Sequence, residues 1–194
     1  MKTWQEAIKL LEKGEIRSAN KDINGNWVAN TEVKEAILEA FKAGELTEMS
    51  KTNYPGFVDK HNLPARTFTP EDKIRLVPGG SSVRAGSYVA SGVIIMPPAY
   101  INIGAYVDTG SMIDSHALVG SCAQIGKSVH LSAGVQIGGV LEPIGMSPVV
   151  IEDNAFIGAG AVIVEGVVIG EKAVIAPGVI LSKGTPVYDC VNEK

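Results

Sequence analysis

The chain has 194 residues, enough for one large domain or a core with a small appendage. Its formal net charge of −4 argues against a nucleic-acid binder, which carries a basic stripe, and no apolar run approaches the length of a membrane span. Aromatic residues make up only 6% while glycines number 22, a balance that favours a narrow core of small side chains.

From the N-terminus, MKTWQEAIKLLEKGE is amphipathic and charged, which does not fit a signal peptide. Thr3 with Glu6 fits a capping box, and Trp4, Ala7, Ile8, Leu10 and Leu11 form a helical stripe that Gly14 ends. Asn24-Gly25 between apolar flanks predicts a tight turn or hairpin. Residues 31–43, TEVKEAILEAFKA, predict a second amphipathic helix. From 46 to 78 the pattern is irregular, with prolines at 55, 64, 70 and 78, and reads as loop or linker with a short strand at its end. Residues 1–78 are therefore expected to form a helical N-terminal domain and linker. Two cysteines, Cys122 and Cys190, make no disulfide framework and suit a reduced intracellular setting, with the cytoplasm as the default location.

From Val83 a branched aliphatic returns every six residues, at 83, 89, 95, 101, 107, 113, 119, 125, 131 and 137. The register slips by two residues across GGVLEPIGMSPVV and resumes at 151, 157, 163, 169, 175 and 181. All sixteen positions are Val, Ile or Leu, which rules out coincidence. Four residues after each comes a small or β-branched residue, such as Ser87, Ala105, Ala123 or Val135. Neither a helix nor a strand has a period of six. The pattern is that of a hexapeptide solenoid: each unit is a short strand and a turn, and three units make one triangular coil. The aliphatic points inward, its neighbours point outward, and glycine serves corner conformations that a Cβ opposes. Sixteen units give about five coils, placing a β-helix domain over residues 79–194.

The segments NIGAYVDTGSMID, VGSCAQIGKSVHLSAGVQIGGVLEP, VVIEDNAFIGA and IVEG, together with KDINGNWVANTEVKEAILEAF and IRLVPGGSSVRAG, resemble the bacterial tetrahydrodipicolinate N-succinyltransferase family of hexapeptide-repeat acyltransferases. The resemblance runs through most of the chain and is loosest at 44–72. GSCAQIGKSVHLS and GGVLEP are far more specific than the bare hexapeptide. The resemblance implies a mainly β fold, a left-handed parallel β-helix with a small α-helical N-terminal domain. It implies a homotrimer with sites between neighbouring subunits. It also implies succinyl transfer from succinyl-CoA to the amine of ring-opened tetrahydrodipicolinate, on the diaminopimelate and lysine route, with no metal.

Asp114 follows the inward Ile113, so alternation turns it outward, and it matches the family's acidic residue beside the substrate amine. A carboxylate there can bind an ammonium and accept the proton that must leave before the amine attacks a thioester. Arg75, in IRLVP, matches the family's substrate-binding arginine; its guanidinium fork suits a dicarboxylate acceptor. Arg84 is a weaker candidate of the same kind. Glu142, in GGVLEP, occupies the one break in register, where a loop leaving a regular solenoid tends to carry function. The resemblance makes it an acceptor-site residue, and makes Gly139 a place of close backbone approach. A backbone N–H at Gly139 can also stabilise the tetrahedral oxyanion. No residue is assigned to coenzyme A.

His116 and His130 are rival bases, since other hexapeptide acyltransferases use histidine, although His116 stands where this family carries an aromatic. A zinc site needs three converging histidines, and the only third one, His61, precedes the solenoid. Cys122 reads as packing. Two positions depart from the family pattern. Its second acidic residue aligns with Val162, and Glu165 nearby is no automatic substitute. Its members also continue past the equivalent of Tyr188-Asp189 with further coils and a C-terminal cap, so an open β-helix edge is expected at the end of this chain. The competing readings are an N-acetyl version of the reaction, another hexapeptide acetyltransferase, or an inactive truncated solenoid.

Overall fold

A computed structural model describes residues 3–49 and 56–192. Helix α1 (Trp4–Glu12) starts at Thr3, whose hydroxyl accepts the Glu6 amide at 3.2 Å, and buries Ala7, Ile8 and Leu11. Strands β1 (Ala19–Lys21) and β2 (Trp27–Ala29) form the antiparallel hairpin expected at Asn24-Gly25. The Asp22 carboxylate closes its turn by accepting the amides of Asn24 and Asn26 at 2.8 Å each. Helix α2 spans Thr31–Ala43, with Asn30 as its cap accepting the Val33 amide.

The stretch read as irregular holds a second hairpin, β3 (Leu46–Glu48) against β4 (Val58–Lys60). Its strands are three residues long and mostly exposed, so they leave no alternation to read. Pro55, in its connection, lies outside the described residues. A 3-10 turn at Pro70–Asp72 leads to β5 (Arg75–Leu76), the short strand expected at the end of this stretch.

Strand β5 is already part of the solenoid, because it pairs in parallel with Ile94–Ile95. From there the chain winds as a parallel β-helix of two-residue strands in three sheets of six, six and five. One face climbs through Arg75, Ile94, Met112, His130, Phe156 and Val174 and is called here the Met112 face. The second, the Leu118 face, runs from Ser82 through Tyr100, Leu118, Gln136 and Val162 to Ile180. The third, the Tyr106 face, runs from Tyr88 through Tyr106, Gln124 and Val150 to Val168. These outward residues precede the periodic aliphatics, which stack inside as one apolar column with Ala105, Ala123, Val135 and their equivalents.

Pairing steps by 18 residues from Val107 to Ile125 but by 26 from Ile125 to Ile151. The two-residue slip seen in the sequence is therefore an eight-residue excursion from one corner, and the column closes unbroken beneath it. The corners also sort the glycines. Left-handed backbone falls three residues after the aliphatic, at Gly104 and Gly134 but equally at His116, Cys122, Ser128 and Asn154. Glycine one residue after the aliphatic answers a different need, close packing between coils: a Cβ on Gly120 would lie 2.2 Å from the Gly139 nitrogen.

The helices sit on the corner between the Leu118 and Tyr106 faces. Ile8, Leu11, Val33, Ile37, Ala40 and Leu63 form a second core with Ala85, Ile103 and Cys122 of successive coils. The excursion leaves from this same corner, and its Leu141 packs against that core.

Candidate functional site

Asp114 follows the Met112–Ile113 strand, at the corner between the Met112 and Leu118 faces, and is half-buried. Its amide donates to the Leu131 carbonyl at 3.0 Å, and its Oδ1 accepts the Ser115 amide at 2.6 Å. Asn102 and Asp108, at equivalent corners, each accept the next residue's amide in the same way. That bond is thus a recurring corner device. It leaves Oδ2 as the oxygen able to meet a substrate, and among the described residues no ion pair occupies it.

Arg75 is exposed on the outer surface of the Met112 face, paired with Ile94, two rungs below Met112. Rungs are ~4.8 Å apart. Arg75 and Asp114 therefore share one side of the prism. Arg84 is otherwise engaged: its guanidinium bonds both Asp59 oxygens, at 2.7 and 2.9 Å, and lies over Phe41, fastening the β3–β4 hairpin to the solenoid.

Gly139 and Glu142 lie on the excursion, at the other edge of the Leu118 face from Asp114. Both are exposed. The close approach at Gly139 is to the coil beneath, where a Cβ would sit 2.7 Å from the Ser121 nitrogen, and the next amide, Val140, donates to the Ser121 carbonyl at 3.0 Å. The Gly139 amide itself donates to no group among the described residues. One subunit thus groups Arg75 with Asp114 and Gly139 with Glu142, but does not bring the two pairs together.

His116 holds a left-handed corner with its amide on the Pro98 carbonyl at 2.6 Å, and its side chain is exposed. His130 stacks on Phe156 on the Met112 face, ring centroids 5.0 Å apart. Cys122 is fully buried, and burial pushes its thiol up, away from the thiolate a nucleophile needs. Val162 points outward on the Leu118 face beside Gln136, and Glu165 holds the corner after it. Among the described residues, no cluster of three or more His, Cys, Asp or Glu side chains fits a metal ion. Among the same residues, no helix is long and apolar enough to cross a membrane.

Two features escaped the sequence reading. One is Lys34, fully buried in α2. Its spacing from Ile37 and Phe41 placed it on the inner face, which was the available signal. The other is a cleft of about 320 Å³ where the β1–β2 hairpin lies on the Tyr106 face. The Arg17 guanidinium lies over the Tyr106 ring, 3.7 Å from its centroid, and donates to Gln124, while Lys21 and the Trp27 indole both meet Glu152, at 2.6 and 3.0 Å. It is a seam that fastens the hairpin.

Those two bonds, Lys21 first, hold the Glu152 carboxyl below the usual glutamate range. A carboxylate whose folded pKa is depressed stabilises the fold above its unfolded pKa, and that contribution is lost as pH falls through the folded value. Acidification from neutral to below pH ~4.5 should therefore loosen the hairpin before the β-helix melts. Trp27 fluorescence followed against pH should show this step, and Glu152→Gln should flatten it; an unchanged step in the variant assigns it elsewhere.

The family described as "Tetrahydrodipicolinate N-succinyltransferase N-terminal" matches residues 1–43, and "Hexapeptide repeat of succinyl-transferase" matches residues 148–183. A protein of Burkholderia cenocepacia named 2,3,4,5-tetrahydropyridine-2,6-dicarboxylate N-succinyltransferase is 49% identical over 187 residues, covering 94% of this chain and 67% of that protein. One of the same name from Nitrosococcus oceani is 49% identical over 160 residues, covering 80% of this chain and 57% of that protein. The chain thus spans between about half and two thirds of the length of these relatives. Among solved structures, PerB from Caulobacter crescentus in complex with CoA and GDP-perosamine aligns with 50% of this chain and 49% of that chain, at 21% identity and a TM-score of 0.24.

Proposed function

This chain belongs to the tetrahydrodipicolinate N-succinyltransferase family, and from that premise we propose that it transfers a succinyl group from succinyl-CoA to the amine of ring-opened tetrahydrodipicolinate, in diaminopimelate and lysine biosynthesis. The observation that carries the reading is the 49% identity extending over 94% of the chain, both helical unit and β-helix.

In this reading Asp114 receives the acceptor's ammonium through its untied Oδ2 and takes its proton. The freed amine attacks the thioester carbonyl, a C–N bond forms, the C–S bond breaks, and coenzyme A leaves as the thiol. Arg75, on the same side of the prism, holds an acceptor carboxylate. Glu142 lines the acceptor from the excursion, and the unpaired Gly139 amide meets the tetrahedral oxyanion. Because Asp114 and Gly139 stand at opposite edges of the Leu118 face, the reading needs a second copy to supply one edge to the other. It therefore includes a homotrimer with sites between subunits, in the cytoplasm.

The test is thiol release from succinyl-CoA and from acetyl-CoA, each with and without tetrahydrodipicolinate, together with sedimentation of the same sample. The expected result is acceptor-dependent release with succinyl-CoA from a trimer. Release with acetyl-CoA alone would change the donor and keep the acceptor. No release from a folded trimer would sink the enzymatic reading for this chain, and turnover by a monomer would sink the shared site.

A further inference from the structure

The excursion, residues 139–148, adds eight residues to its corner, has no partner strand among the described residues, and must get its shape from elsewhere. Val140 ties its base to the coil beneath. Its far half is held by the helical unit. The Lys34 ammonium of α2 donates to the Met146 carbonyl at 2.5 Å, and the Ser147 hydroxyl donates to the Trp27 carbonyl at 3.3 Å. Lys34 is 0% exposed, and among the described residues no carboxylate pairs with it.

A buried ammonium is costly to place, and an apolar side chain of the same length would fill the site without that cost. The packing of α2 on the solenoid thus does not require a lysine. What the lysine adds is a charge-assisted bond to one backbone carbonyl of the excursion.

We propose that Lys34, with the Trp27–Ser147 bond as its support, is a positioning residue that holds residues 139–148 in the shape that presents Gly139 and Glu142 to the acceptor. The helical unit is then part of the acceptor site's scaffold, although none of its residues touches substrate. The proposal rests on the function read above. Burial also holds the Lys34 ammonium below the usual lysine range, as the cost of its placement requires.

Lys34→Met in the full chain tests this with two readouts. Hydrogen exchange at residues 139–148 should quicken about tenfold while the β-helix strands stay protected. The KM for tetrahydrodipicolinate should rise about tenfold and kcat should fall with it, because Gly139 moves with the loop, while the KM for succinyl-CoA stays within about threefold. Lys34→Gln, which keeps a donor, should recover part of both. Unchanged exchange in a folded Lys34→Met protein overturns the proposal, and so does a parallel fall in every kinetic constant with a lowered melting temperature. Should Lys34→Met fail to fold, Ser147→Ala decides, because it leaves the core filled: a selective rise in acceptor KM with faster loop exchange supports the proposal, and no change in either overturns it. Exchange needs no turnover, so loop-holding stands or falls even if the assigned reaction fails.

Discussion

Asp114→Asn is expected to lower acceptor-dependent thiol release from succinyl-CoA by about 10²–10⁴-fold, the range for removing a general base, with fold and assembly unchanged. Asparagine separates the two tasks of this side chain. As an acceptor, its amide oxygen can keep the bond to the Ser115 amide that closes the corner, as Asn102 does for Ile103 at the equivalent position. It cannot take a proton from an ammonium, and it removes the charge that binds one. Alanine would remove both at once and confuse a distorted corner with a lost base. The comparison also weighs the histidines. His116 is two residues away on the next corner position, and His130 is engaged with Phe156. Release that stays above about a tenth of wild type in Asp114→Asn, and falls in His116→Gln instead, would move the base to the histidine.

How much of this was legible in the sequence follows from which contacts are local. The stack of aliphatics was fully legible. Each coil repeats the same chemistry, so Ile113 and Ile125 carry the same instruction, and each pairs at the expected interval of three units, Ile113 with Leu131 and Ile125 with Val107. The cap at Thr3 and the turn at Asn24-Gly25 were legible because the groups involved lie within four residues of one another. The β3–β4 hairpin was not legible, because neither of its strands has a buried face to impose alternation. Lys34 was not recognised because its partner is 112 residues away in the chain. A one-dimensional reading sees a charge on a helix and assigns it to solvent. Family motifs named Asp114 and Glu142 as candidates and implied sites between subunits; the winding adds that the two residues stand at different edges of one face of the prism.

Gly120→Ala should affect both stability and the site, and it tests how the coil beneath shapes the excursion. Gly120 is buried, and its backbone is not left-handed, so alanine meets no conformational objection there. The objection is space. The added Cβ would lie 2.2 Å from the Gly139 nitrogen, 2.6 Å from its Cα and 2.7 Å from the Gly138 carbonyl carbon. All three are backbone atoms, so no rotamer change relieves the contact, and the two coils must part or the excursion must move at its root. Overpacking of this kind costs about 1–3 kcal/mol. Gly139 is displaced directly, and a misplacement of about 1 Å can cost 10²-fold in rate. Gly160→Ala is the control. Its backbone is left-handed, at φ +68°, but nothing lies within 4 Å of a Cβ there. It should cost about 1–2 kcal/mol in conformation alone and leave turnover untouched. Urea unfolding and thiol release measured on both variants separate the two effects. If Gly120→Ala loses stability yet turns over at the wild-type rate, the Gly139 amide is not placed by this close approach, and the oxyanion must find its donor elsewhere.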